Sequence, residues 1–136
     1  MSKMSDRAAR PVGLYPHARR VGNHLYLSGI GSRMRDTNAI PGLVQDADGN
    51  ILEYDIEAEA RACFDNLRYV LEDCGSKWEN LVDVLVFLTN MKDDFAKYNE
   101  IWAEYFRGVM PARTTIEVKS LPTPIAIEVK AMATID

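Results

Sequence analysis

Between Asp55 and Gly75 apolar residues return every three or four positions. Ile56, Ala60, Cys63, Leu67, Val70, Leu71 and Cys74 form one stripe, the period of a helix with a single buried face. Asp55 suits the cap, Glu57 and Glu59 sit where the helix dipole favours negative charge, and Gly75 suits a left-handed stop. A second helix is expected from about Asp93 to Arg107. Its stripe of Phe95, Tyr98, Ile101, Trp102, Tyr105 and Phe106 reads as core or subunit contact before it reads as a base-stacking platform.

Elsewhere the period shortens to that of strands. Leu81 to Thr89 is β-branched and apolar on both faces, as in a buried strand. His24 to Ser28 is a short strand ended by Gly29, and Gly29-Ile30-Gly31 reads as a turn. Two tail strands follow, Thr114 to Lys119 and Ile125 to Ile135, separated by Ser120-Leu121-Pro122-Thr123-Pro124, whose prolines forbid continuous pairing. In the first, Ile116 and Val118 oppose Arg113, Thr115, Glu117 and Lys119. In the second, Ile125, Ile127 and Val129 alternate with Ala126, Glu128, Lys130 and Met132. The expected fold class is α+β: a mixed sheet backed by two helices on one side, with the polar faces of the tail strands on the other. Residues 30–54 form a long connection, often a functional feature in a small domain, with a hairpin expected around Asp48-Gly49.

The 136 residues suffice for one core and are read as a single domain, with residues 1–10 as a flexible N-terminal arm. A formal net charge of −4 argues against a nucleic-acid partner, which needs a clustered cationic face. No apolar run approaches a membrane helix and the N-terminus lacks a signal-peptide pattern, so no membrane partner and a cytoplasmic location are expected. Cys63 and Cys74 share a helix, about 16 Å apart, too far to bridge.

Asp46, Asp48, Asn50 and Glu57 have the carboxylate spacing of a calcium loop, yet Ile51 stands where that loop needs glycine. His17, His24 and the cysteines make no zinc set, so no metal is expected. There is no nucleophile elbow and no complete dinucleotide loop. What remains is Arg113 and Glu128, on the polar faces of the two tail strands. A hairpin centred near Ser120 to Pro122 would bring them together, either as a cross-strand ion pair or as a working pair.

Several separated motifs resemble the RidA/YjgF family of reactive-imine deaminases. They are Gly13-Leu14-Tyr15, Leu27-Ser28-Gly29, Asp65-Asn66-Leu67, Val86-Phe87-Leu88, Pro111-Ala112-Arg113, Ile116-Glu117-Val118, Leu121-Pro122 and Ile127-Glu128-Val129-Lys130-Ala131. The resemblance implies a chorismate mutase-like fold, a homotrimer whose sheets pack into a barrel, and sites in the clefts between subunits. It implies no cofactor. Arg113 would hold a substrate carboxylate and Glu128 would position the attacking water, with Tyr15, Ser28 and Gly29 lining the cleft. Many members carry Gln after the Ser-Gly and Cys two residues beyond the arginine; here those positions are Ile30 and Thr115. With the segments from Leu14 to Arg20, from Ser28 to Arg33 and from Leu121 to Glu128, the chain resembles the subgroup of 2-aminomuconate deaminases. A dicarboxylate substrate needs a second cation, for which Arg33, Arg35 and His17 are the candidates. The alternatives are a general 2-imino acid deaminase and a non-catalytic trimer that binds small carboxylates. Ribonuclease activity, sometimes attributed to relatives, sits poorly with the net charge.

Overall fold

The computed structural model describes residues 1–136. In chain order the elements are β1 (Ser2–Lys3), β2 (Ala18–Val21), β3 (His24–Leu27), β4 (Ile30–Gly31), β5 (Val44–Gln45), β6 (Ile51–Glu53), α1 (Ile56–Asp73), β7 (Leu81–Leu88), α2 (Met91–Phe106), β8 (Ala112–Glu117) and β9 (Ile127–Thr134). The fold is the expected α+β class, a mixed sheet with two helices.

The local signals act as the sequence suggests. The Asp55 side chain accepts from the Ala58 N–H at 3.1 Å and starts α1, and beyond Asp73 the chain turns at Gly75 with φ +95°. Asn90 caps α2 by accepting from the Asp93 N–H at 3.1 Å, so this helix begins at Met91, ahead of the expected Asp93. Most of the aromatic stripe serves the core: Tyr98, Ile101 and Phe106 are buried and Trp102 and Tyr105 pack against them, while Phe95 stays exposed. The Phe64 ring on α1 meets Trp102, Tyr105 and Phe106 on α2 at centroid distances of 5.9, 5.3 and 5.1 Å. Burying one Phe contributes roughly 1.5–3 kcal/mol, and these edge contacts lock the helices side by side. Beneath them Leu25, Leu27, Val84, Val86, Leu88, Ile127 and Val129 are fully buried.

The strand order is β1-β2-β3-β9-β7-β8, with β4 also paired to β9. Here the structure departs from the expected hairpin of tail strands. β7 lies between β8 and β9, parallel to β8 and antiparallel to β9. The physical reason is the crossover helix: β7, α2 and β8 form a βαβ unit, which delivers its second strand parallel to the first. The proline-bearing stretch 120–124 is therefore a connection across the end of β7. Val118 N–H donates to Leu88 O and Thr89 N–H to Ala126 O, tying both ends of it to that strand.

The faces of β8 are also the reverse of the expectation. Arg113 pairs with buried Val84 and Thr115 with buried Val86, so both point toward the helices, while Ile116 stays 40% exposed on the open face. Polar partners on α2 make this possible, since the Tyr98 and Thr115 hydroxyls share a hydrogen bond at 2.8 Å. In β9 the expected faces hold, with Ile127 and Val129 inward and Glu128 outward.

Residues 1–10 are not a free arm. β1 pairs with β2, Ser5 and Ala8 are buried, and Arg7 bridges to Asp73 at the end of α1. The hairpin around Asp48-Gly49 is present as β5–β6. Asp46 Oδ1 accepts from the Asp48 and Asn50 N–H groups, so this acid closes the turn. Gly29-Ile30-Gly31 is not a simple turn, because Ile30–Gly31 continues the line of β3 along β9. Tyr26 faces Met132 and Ile30 faces Val129, so β3–β4 spends one more residue than β9 over that stretch. Ser28-Gly29 is thus a bulge, the device that re-aims side chains at functional sites. No helix is long and apolar enough to cross a membrane.

Candidate functional site

A cavity of about 180 Å³ opens beside this bulge, lined by Tyr15, His17, Ser28, Gly29, Arg33 and Glu128 among others. Glu128 projects from the start of β9, as its second residue. No donor of this chain bonds its carboxylate, and burial alone pushes its pKa above the ordinary carboxylate range. The bulge makes room for it: a Cβ built on Gly29 would stand 2.9 Å from Glu128 Oε2. Ser28 donates its hydroxyl to Pro16 O at 2.7 Å and its N–H to His17 O at 3.0 Å. Those two bonds fasten the loop that carries Tyr15, whose hydroxyl accepts from the Val12 N–H at 3.2 Å.

Arg113 does not line this cavity. It pairs with Val84 on the helix side of the sheet, whereas Glu128 pairs with Phe87 on the open side. The expected meeting of the two within one chain is therefore ruled out by the intervening strand. The Arg113 guanidinium donates to Asn99 Oδ1 at 2.9 Å and lies 4.9 Å from the Trp102 centroid and 5.3 Å from that of Tyr98. It has no carboxylate partner in the chain. Aromatic faces hold it by cation–π attraction, leaving donors of its planar fork available to a ligand.

The three candidate cations separate clearly. His17 is buried, with Nδ1 accepting from the Ser5 N–H at 2.9 Å and Nε2 facing Ala9 O at 2.8 Å. Since Nδ1 must accept, the proton sits on Nε2, and both nitrogens are committed to the N-terminal segment. Arg35 donates to Ser5 O and Ala8 O at 2.9 and 3.0 Å and clamps the same segment. His17 therefore has no ring nitrogen to spare for a substrate, and Arg35, although its Nε and Nη2 keep no partner, does not line the cavity. Arg33 does face the cavity, steadied by Asn38 Oδ1 at 2.9 Å and Arg10 O at 2.6 Å.

Two side chains that the sequence reading left without a site role support the cavity. Asn66 on α1 donates to Gly31 O and Arg33 O, both at 2.9 Å, and so fixes the strand that forms one wall. Glu59, read as a charge at the helix start, is fully buried between α1 and the sheet. Its signal was a carboxylate three residues beyond Ile56 and four before Cys63, on the apolar stripe itself. No group of three or more His, Cys, Asp or Glu is close enough to hold a metal ion.

The cavity thus offers one free carboxylate beside backbone and hydroxyl groups, and the far edge of the sheet offers one unpaired guanidinium. Comparison with known proteins gives this arrangement a context. Residues 5–135 match the model of the family described as Endoribonuclease L-PSP. A RutC family protein of Pyrococcus abyssi is 33% identical over 95% of this chain and 92% of its own length. A 2-iminobutanoate/2-iminopropanoate deaminase of Dermatophagoides farinae is also 33% identical, over 95% of this chain and 91% of its own. Among solved structures, the YjgF gene product of E. coli superposes with a TM-score of 0.84 at 27% identity, covering 98% of each chain. Sequence, motifs and fold agree: the chain belongs to the RidA/YjgF family, the family described as Endoribonuclease L-PSP.

Proposed function

We propose that this protein hydrolyses 2-imino and 2-enamino acids to 2-oxo acids and ammonia, without a cofactor, in clefts formed between three copies of the chain. The substrate we favour is 2-aminomuconate, giving 4-oxalocrotonate. The observation that carries the reading is the division of the site: Glu128 stands unanchored in the cavity while Arg113, with no acidic partner, sits on the opposite face of the sheet. Each is half of an imine-hydrolysing pair, and a neighbouring copy is what could complete it. The deaminase named for the mite relative supports the imine chemistry, and the sequence resemblance supports the dicarboxylate.

The reaction needs little beyond positioning. The enamine tautomerises to the imine, water adds to C2, and the carbinolamine expels ammonia, so one water and one imine give one ketone and one ammonia. Arg113 would grip the carboxylate next to C2 through two parallel donors. Ionised Glu128 accepts hydrogen bonds only, so it would orient the water, take its proton, and return one to the departing nitrogen. Its raised pKa brings it nearer the pH at which such exchange is efficient. Arg33, on the cavity wall, would face the distal carboxylate. An RNA substrate would require a cationic track, which a cavity holding Glu128 in a chain of net charge −4 does not supply.

The test is complementation. Arg113→Ala and Glu128→Gln are each expected to lose turnover on 2-aminomuconate generated in place from its semialdehyde. Mixed and reassembled, they should recover about a quarter of the wild-type rate, the share of interfaces pairing two intact residues. Mixtures that stay inactive would defeat the shared cleft. Faster hydrolysis of 2-iminobutanoate than of the dicarboxylate would make the enzyme a general imine deaminase. Full ligand binding by Glu128→Gln, with no turnover by wild type on either compound, would make it a binding protein.

A further inference from the structure

Glu59 Oε1 accepts two hydrogen bonds, from the Ser32 hydroxyl at 2.7 Å and from the Ala126 N–H at 2.9 Å, while Oε2 is enclosed without a partner. The two donors belong to the two short segments that carry the cavity. Ser32 follows Gly31 of β4, Ala126 precedes Ile127 of β9, and Gly31 pairs directly with Glu128. A single oxygen therefore spans the strand pair on which Glu128 stands.

We propose that Glu59 is a positioning residue: held as an uncharged acid beneath the cavity, it fixes the β4 wall against the start of β9 and thereby sets where the Glu128 carboxylate stands. Its surroundings favour the uncharged form. Burial raises its pKa, the hydrogen bonds from Ala126 and Ser32 draw it back in part, and the charged groups acting on it, Asp94 from α2 and Asp55 at the start of α1, are acids that raise it, so the net shift is upward. Cys63, the neighbouring thiol on α1, is pushed up chiefly by burial, then by Glu128 on β9 and by Glu59. An uncharged carboxyl keeps its carbonyl oxygen for both donors, and Oε2 becomes the hydroxyl. Ionisation would put a charge in an enclosed space without a counter-charge and loosen the floor.

The kinetic part of the test rests on the deaminase reading; the rest does not. Glu59→Gln keeps an uncharged carbonyl acceptor, and Glu59→Met fills the volume with none. In Glu59→Met, kcat is expected to fall about tenfold or more with KM nearly unchanged, the result of a displaced Glu128. Glu59→Gln should keep near wild-type kcat at neutral pH and lose one alkaline decline of the pH profile. Infrared spectra of the wild type at neutral pH should contain a protonated-carboxyl carbonyl band that Glu59→Gln lacks. Folding binds this proton more tightly than the unfolded chain does, so its stabilisation is complete at acid pH and drains away as pH rises through the raised value; melting curves of Glu59→Gln should be flatter there. Wild-type kcat in Glu59→Met, or an infrared band and melting profile unchanged in Glu59→Gln, would overturn the proposal. If wild type hydrolyses no imine, the deaminase reading fails separately, and the infrared and melting measurements still decide the role of Glu59.

Discussion

Gly29 lies against the Glu128 carboxylate so closely that a Cβ on the glycine would come within 2.9 Å of Oε2 and 3.1 Å of Cδ. The bulge at Ser28-Gly29 creates this proximity. The clash would fall on the far end of a flexible side chain, so the protein can relieve it by swinging Glu128 aside. Gly29→Ala should therefore melt close to wild type while turnover falls roughly 10- to 100-fold, the cost of moving a catalytic group by about 1 Å. Thermal denaturation and steady-state kinetics on one preparation check this. Equal losses of stability and activity would mean that the backbone had moved instead.

Glu128 also sets a pH dependence whose two signs differ. In the proposed deaminase Glu128 is the base and must be ionised, so turnover should fall as pH drops through its raised pKa, beginning above the ordinary carboxylate value of about 4.3. For stability the effect is opposite. Folding favours the protonated form, so Glu128 stabilises at acid pH and that contribution is lost as pH rises through the raised value. Glu128→Gln, which cannot ionise, should melt higher than wild type at neutral pH and alike at acid pH. A constant difference in melting temperature across pH would contradict the burial of this carboxyl.

Both helices and the long strands were legible because each repeats its period several times and carries its own stop signals, as Asp55 and Gly75 do for α1. Strand order was not. The alternation in β8 and β9 says that each has two faces, not which strand is the neighbour, and only α2 between β7 and β8 decides that β8 runs parallel. The faces of β8 run against its alternation because Thr115 finds the Tyr98 hydroxyl and Arg113 finds Asn99 and the Trp102 ring, partners eleven or more residues away that turn a polar face inward. β1, β2 and β4 are too short to show a period at all.

In the site, the motif residues Tyr15, Ser28, Gly29 and Glu128 do share one cavity. His17 and Arg35 look like ligands in the sequence because spacing cannot reveal that both ring nitrogens of His17 and Nη1 of Arg35 are used by backbone groups of Ser5, Ala8 and Ala9.

That assignment of His17 is itself testable. Replacing it by alanine leaves the buried Ser5 N–H and the Ala9 carbonyl without partners, an expected loss of about 2–6 kcal/mol at roughly 1–3 kcal/mol per orphaned group. Urea unfolding should show this loss. If His17 instead served the substrate, His17→Ala would unfold like wild type and raise only KM.

Arg33 is the remaining candidate for discriminating substrates by length. It lines the site cavity and an adjoining one of about 690 Å³, with Arg10 beside it in both. Its bonds to Asn38 and Arg10 O hold the guanidinium without using all five of its donors. A charge-assisted bond to a distal carboxylate contributes about 1.5–3 kcal/mol, so Arg33→Ala should raise KM for the dicarboxylic enamine by roughly tenfold or more and leave 2-iminobutanoate unaffected. The split between substrates matters more than either number. A KM that rises equally for both would place Arg33 among the residues that merely brace the loop from Arg10 to Tyr15. No change on either substrate would leave the distal carboxylate to another group, Arg10 first, because it shares both cavities.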